Sequence, residues 1–145
     1  MATSSPSAAA SPSRIAIIEE DPRLLPALRR LLDEHHLVDG YGGGATALAG
    51  VKRRLPDVVV LSTTVEDMAW TEVLRRLPPD VPVVALSLCN DEAARDACLQ
   101  QGCFDHLVKP LADGDLLLAS VATCLEATRA RQKGGPRRDR DRRRR

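Results

Sequence analysis

The chain has 145 residues, of which 43% are apolar but only 2% are aromatic, and its formal net charge is +1. That length suits one domain, and its core must be aliphatic because aromatic side chains are scarce. No run approaches the roughly 18 apolar residues that span a bilayer, and the uncharged start of the chain lacks the apolar segment of a secretory signal. We therefore expect a cytoplasmic protein with a disordered leader at 1–13, a folded domain at 14–131 and a disordered basic tail at 132–145.

The small net charge conceals an asymmetry between the end of the chain and the rest. Residues 129–145 carry ten Lys or Arg and two Asp, which leaves a net charge of −7 on the remaining residues. The sequence thus describes an acidic domain with a basic tail. Polybasic segments bind phosphates without reading sequence, so weak nonspecific contact with nucleic acid or an acidic surface is the alternative to a tail that only aids solubility.

The first half of the chain alternates buried-strand patterns with helical ones. Glu19, Glu20 and Asp21 end the first apolar run abruptly, and Pro22 is expected to open a helix. Strands are predicted at 14–18, 36–41 and 57–61, and helices after Pro22 and at 45–54.

The second half continues the alternation. A loop leads to a helix around 71–77, a strand at 81–86, a helix closed at its ends by Asp91 and Gly102, a strand at 104–108 and a last helix that starts at Asp113. Leu117, Val121 and Leu125 form the apolar stripe of that last helix.

Five strands alternating with five helices predict βαβ units in a parallel sheet with helices on both faces. Right-handed crossovers leave few topologies for five such units. The fold class we expect is α/β, a flavodoxin-like (βα)5 doubly wound sheet with strand order 2-1-3-4-5.

In such a sheet, functional groups gather where the strands end. The polar residues predicted at those ends are Glu19, Glu20, Ser62, Ser87 and Lys109. Two acids, two hydroxyls and a lysine are therefore expected to converge on one rim.

With these residues in place, residues 14–131 resemble the CheY-like receiver domain of bacterial response regulators. The acidic pair of that family is matched by Glu19 and Glu20 in IIEEDP, and the strand-end hydroxyl by Ser87. The Lys-Pro pair is matched by Lys109 in DHLVKP. The phosphorylated Asp of the family falls on Ser62, directly after PDVVVL.

The resemblance implies that Ser62 removes the phosphorylation chemistry. A serine cannot form an acyl phosphate, and the site loses one anionic ligand of the Mg²⁺ ion that assists phosphoryl transfer in the family. Glu20 stands where the family usually has Asp, which lengthens the arm toward the metal. We expect no cofactor, with a weak Mg²⁺ site at Glu19 and Glu20 left open, and we expect Lys109 to pair with one of these glutamates.

Other positions depart from the family in the same direction. Trp70 stands where a flexible glycine is usual, and Leu88 replaces a small residue, so that it is expected to crowd the phosphoryl pocket. His106 takes the position of the Tyr or Phe that swings inward on activation. Asp67 is a poor substitute acceptor because it lies on the loop, five residues beyond the strand end.

The four cysteines show neither a CxxC pair nor a histidine at zinc-finger spacing. We expect buried, reduced thiols, with a metal site or redox pair as the alternative. They are Cys89, Cys98, Cys103 and Cys124.

Together these patterns predict a pseudo-receiver, a non-enzymatic signalling module that acts without phosphorylation through protein partners or as a homodimer. Its predicted contact face is formed by the fourth helix, the fifth strand and the fifth helix. Two alternatives remain: a nucleic-acid-associated adaptor that acts through the basic tail, and a conventional phosphorylated response regulator whose acceptor was substituted.

Overall fold

A computed structural model describes residues 12–88, 91–111 and 113–133. The strands are β1 (Arg14–Ile18), β2 (Leu37–Tyr41), β3 (Val58–Ser62), β4 (Val83–Leu88) and β5 (Asp105–Lys109). The helices are α1 (Leu24–Asp33), α2 (Gly44–Arg53), α3 (Trp70–Arg76), α4 (Glu92–Gln101) and α5 (Gly114–Lys133). Residues 1–11 of the predicted leader and 134–145 of the predicted tail lie outside the described residues.

All strand pairs are parallel and follow the order β2-β1-β3-β4-β5. This confirms the predicted flavodoxin-like topology. The central strand β3 is buried along its whole length, as expected for a parallel strand covered on both faces.

Alternation along the strands divides the core between the two faces of the sheet. Ile15 and Ile17 point toward α1 and α5, where they pack with Leu28 and Leu117. Ala16 and Ile18 point to the opposite face, where the second cluster includes residues of α2 and α3. Each face therefore has its own aliphatic core.

The predicted ends of α4 and the stripe of α5 are confirmed. The Asp91 carboxylate accepts a hydrogen bond from the Ala94 N–H at 3.0 Å, and Gly102 adopts the left-handed conformation with φ of 90°, which glycine reaches without a Cβ clash. Leu117, Val121 and Leu125 are buried.

The regular part of α1 begins at Leu24, two residues after Pro22. The Asp21 carboxylate accepts a hydrogen bond from the Arg23 N–H at 2.8 Å, and the Asp21 carbonyl accepts from Leu24 and Leu25. These are the contacts of a helix cap at Asp21, with Pro22 in the first turn as predicted. The strand β4 begins at Val83 instead of Val81.

The loop after β3 is tied to the start of α2. Asp67 accepts hydrogen bonds from the N–H groups of Gly44 at 2.8 Å and Ala45 at 2.9 Å, which have no partner inside the helix. These bonds and the positive end of the helix lower the pKa of Asp67. A Cβ at Gly44 would lie 2.7 Å from Val73 Cγ2, so the α2–α3 contact requires glycine there.

Every helix in the described parts of the chain is too short or too polar to span a bilayer.

Candidate functional site

A buried polar cluster lies at the carboxyl edge, the edge of the sheet where the strands end. Glu19 and Glu20 follow β1, Ser62 ends β3 and Lys109 ends β5. The Lys109 ammonium donates to Ser62 Oγ at 2.8 Å and to Glu19 Oε1 at 3.1 Å. The Glu19 side chain is 0% exposed and that of Lys109 9%. The predicted pairing of Lys109 with one of the two glutamates is therefore made with Glu19.

Thr64 completes the cluster, although it is absent from the predicted site. Its hydroxyl donates to Glu20 Oε1 at 3.0 Å and accepts from Lys109 Nζ at 2.9 Å. It also contacts Ser62 Oγ at 2.7 Å. No local pattern marks Thr64, because it lies two residues past a strand end and its partners are 44 and 45 positions away.

The contact between the Ser62 and Thr64 hydroxyls has a definite donor and acceptor. A hydroxyl has one proton and two lone pairs. Since the Thr64 proton goes to Glu20, Ser62 must donate to Thr64. Ser62 Oγ in turn accepts from Lys109 and, at 3.3 Å, from the Thr64 N–H. Both hydroxyls are thus saturated within the protein.

Glu19 is held from two sides. Besides Lys109, it accepts a hydrogen bond from the Asp21 N–H at 3.0 Å. Burial raises the pKa of Glu19, and these two donors oppose the rise without cancelling it. The Asp21 N–H and the Lys109 ammonium therefore both stabilise the charged form of Glu19 inside the protein.

Ser87 belongs to a separate pair. Its hydroxyl lies 2.5 Å from His106 Nε2, and the Ser87 side chain is fully buried. Burial and the Arg95 charge lower the pKa of His106, which favours the neutral imidazole. The hydroxyl of Ser87 and the amine of Lys109 are therefore engaged with different partners.

Leu88 and Trp70 lie in different surroundings. The Leu88 side chain is 52% exposed and lines a groove of about 710 Å³ together with Lys109, Thr64 and residues of α1. It therefore borders the cluster, and its crowding of a phosphoryl group there stays a prediction. Trp70 begins α3 and packs against the core beneath that helix. The Lys109–Pro110 peptide bond is cis.

The cysteines in the described residues are free. Burial raises the pKa of Cys103 to about 12 and that of Cys124 to about 11, and it also raises the pKa of Cys98. Protonated, buried thiols are poor nucleophiles. Cys89 lies outside the described residues. Within the described ranges, no group of three or more His, Cys, Asp or Glu side chains could hold a metal ion.

The parallel sheet and its strand order define an α/β domain of the flavodoxin-like type, with an acid–lysine pair at its carboxyl edge. The sequence model described as response regulator receiver domain matches residues 15–121. The chain therefore belongs to the receiver-domain family of two-component response regulators.

Curated relatives agree with this family. The chain is 30% identical over 111 residues to the probable transcriptional regulatory protein TcrX of Mycobacterium tuberculosis, covering 74% of this chain and 47% of TcrX. It is 35% identical over 109 residues to the response regulator PleD of Caulobacter vibrioides, covering 72% of this chain and 23% of PleD. The chain thus spans half or less of the length of these relatives.

Solved structures support the fold. A CheY-like receiver domain protein from Methanospirillum hungatei superposes with a TM-score of 0.76 at 21% identity, covering 86% of this chain and all of that one. The receiver domain of a putative LuxO repressor protein from Vibrio parahaemolyticus gives a TM-score of 0.78 at 22% identity, covering 87% and 99%. At these identities the likeness concerns the fold alone.

Proposed function

We propose that this receiver domain signals without aspartyl phosphorylation, as a non-enzymatic module that acts by binding protein partners. The observation that carries the proposal is the closed network around Ser62. Its oxygen accepts from Lys109 at 2.8 Å, and its proton is committed to Thr64 at 2.7 Å. A phosphoryl group would have to displace both contacts.

The chemistry of Ser62 supports the same conclusion. An alcohol needs a base to become a nucleophile, and the carboxylates of this cluster are already engaged. Glu19 pairs with the Lys109 ammonium, and Glu20 accepts the Thr64 proton. The ammonium of Lys109 is itself a donor to Ser62, so it cannot take the proton of that hydroxyl.

The same contacts argue against a resident Mg²⁺ ion. Magnesium requires hard oxygen ligands in near-octahedral geometry. At this edge Lys109 already supplies the cation that neutralises Glu19, with Nζ 3.1 Å and 3.4 Å from its two oxygens. Ser62 supplies a neutral oxygen where the family supplies a carboxylate. We propose that these residues do not form a magnesium site.

The output surface we propose is the face formed by α4, β5 and α5. Three large apolar side chains on these elements are exposed: Leu99 by 63%, Val108 by 43% and Leu116 by 53%. Contiguous exposed apolar residues often mark protein-binding surfaces, and we propose that these three contribute to one. A partner protein or a second copy of the chain would cover them.

Incubation with acetyl phosphate and Mg²⁺, followed by intact-protein mass spectrometry, tests the proposal. We expect no phosphoryl adduct on the wild-type chain, whereas a conventional receiver domain treated in parallel becomes modified. A wild-type adduct that hydroxylamine removes would be an acyl phosphate and would defeat the proposal. Phosphorylation of Ser62→Asp, with none of the wild type, would show that the remaining site is intact and that Ser62 alone disables it.

The proposed face is tested by Leu116→Asp, with Leu55→Asp as the matched control. Leu55 is 64% exposed but lies after α2, away from this face. We expect Leu116→Asp to weaken self-association or partner binding, measured by sedimentation or by affinity for an isolated partner. Equal effects of the two substitutions would contradict the assignment of the face.

A further inference from the structure

Charge is divided between the two edges of the sheet. The described loops and helix starts at the carboxyl edge hold nine carboxylates and two cations, counted over residues 19–23, 63–69, 91–92, 109–111 and 113–115. The amino edge, where the strands begin and the helices end, holds eleven cations and four carboxylates; these are residues 12–14, 29–37, 52–57, 75–82 and 129–133. Nine of those eleven cations are arginines.

Contacts connect the cationic segments across the amino edge. Arg129, near the end of α5, donates to Ser13 Oγ at 3.0 Å. The next residue, Arg14, pairs with Asp39 at 2.8 Å, and Arg54 at the end of α2 approaches the same carboxylate at 3.6 Å. The ends of α5 and α2 are therefore joined through the start of β1.

The end of α3 extends this surface. Helices α2 and α3 are in contact, so that Arg75 and Arg76 lie toward the same edge as Lys52 and Arg53. All four side chains are exposed. Glu72 pairs with the two arginines of α3, which leaves Lys52 and Arg53 as the better candidates for an external anion.

Helix dipoles explain part of this pattern, because a cation near a helix C-terminus is favourable. They do not explain why the ends of α2, α3 and α5 carry two or three cations each. Beyond the described residues, the sequence at 134–145 contains seven more arginines and two aspartates.

We propose that the amino edge is a binding surface for the phosphate backbone of nucleic acid. Arginine matches phosphate oxygens bidentately, and a line of cations along one edge suits a chain of phosphates. A membrane-binding element would need a continuous apolar face beside its cations, and the exposed Leu37 and Leu55 here lie on separate segments. The acidic carboxyl edge would repel the polyanion.

The test is fluorescence anisotropy of the full chain with labelled duplex DNA and single-stranded RNA of equal length, across a range of salt concentrations. We expect both to bind, with affinity falling steeply with salt because counterions are released. The double variant Lys52→Glu/Arg53→Glu should bind roughly tenfold more weakly and reduce the salt slope by about 2. The control Arg23→Glu/Arg95→Glu changes the net charge equally, away from this edge, and should stay within about twofold of wild type.

A chain that ends after Lys133 separates the folded edge from the tail. We expect it to bind more weakly than the full chain while remaining sensitive to Lys52→Glu/Arg53→Glu. Loss of all binding on truncation, with no effect of that double variant, would overturn the role of the folded edge. Equal losses for the two double variants would also overturn the proposal. So would binding to phosphatidylglycerol vesicles with no binding to either nucleic acid.

Discussion

Two buried serines on neighbouring strands show how this carboxyl edge is organised. Ser62 ends β3 and is bound by Lys109 and Thr64, whereas Ser87 on β4 lies against His106. The first network contains a buried ion pair; the second is a hydroxyl beside a ring whose neutral form is favoured. In a conventional receiver domain, the hydroxyl at the position of Ser87 and the amine at that of Lys109 would act together on a phosphoryl group. Here each is engaged in a different network, and the two stabilise separate parts of the edge.

The largest change in the free energy of unfolding is expected at Lys109, in the first network. Lys109→Met would leave Glu19 buried without its cation, and removing one partner of a buried pair typically costs about 3 kcal/mol or more. Urea unfolding should therefore show a large loss in the free energy of unfolding. The double variant Glu19→Gln/Lys109→Met should recover part of it, and a loss below about 1 kcal/mol for the single variant would show that the pair is not structural.

A smaller effect is expected at Thr64. Thr64→Val removes a half-buried hydroxyl that bonds Lys109, Ser62 and Glu20, and the free energy of unfolding should fall by about 1 kcal/mol. Thr63→Val, next to it in the chain, is the control and should stay within about 0.5 kcal/mol of wild type. If both substitutions cost the same, the network assigned to Thr64 is wrong.

His106 in the second network, together with His36 just before β2, predicts a dependence of stability on pH. Burial lowers the pKa of both His36 and His106 from the ordinary value of 6.5. The folded state then binds fewer protons than the unfolded state, so that stability falls as the pH drops below that value. Urea unfolding at about pH 7.5 and about pH 5.5 should show a smaller decline for His36→Gln/His106→Gln than for wild type. Parallel declines would contradict the two lowered pKa values.

The sequence predicts the fold well because its signals are local. Runs such as the one at 57–61 mark buried strands, and Asp91 and Gly102 mark the ends of α4 through hydrogen bonds and backbone conformations within a few residues. Element ends shift by one or two residues, as the start of β4 at Val83 instead of Val81 shows.

The site is harder to predict because its contacts join distant parts of the chain. The convergence of Glu19, Ser62 and Lys109 follows from the topology. Thr64 and the Ser87–His106 pair do not, since each depends on which side chain reaches across the sheet edge. Asp67 is likewise read from sequence only as a loop acid, although it binds the start of α2, 22 and 23 residues earlier.

The proposal that Ser62 prevents phosphoryl binding is tested most directly by an NMR titration of the isotope-labelled chain with beryllium fluoride and Mg²⁺. Beryllium fluoride mimics a phosphoryl group, and a similar solved structure is that of the BeF3-activated DrrB receiver domain. Because Ser62 lacks a carboxylate and Lys109 is already paired, we predict no specific amide shifts around Ser62, Ser87 or the α4, β5 and α5 face. Saturable shifts that spread from Ser62 to that face would contradict the account, because they would show that a phosphoryl mimic still opens the network and reaches the proposed output surface.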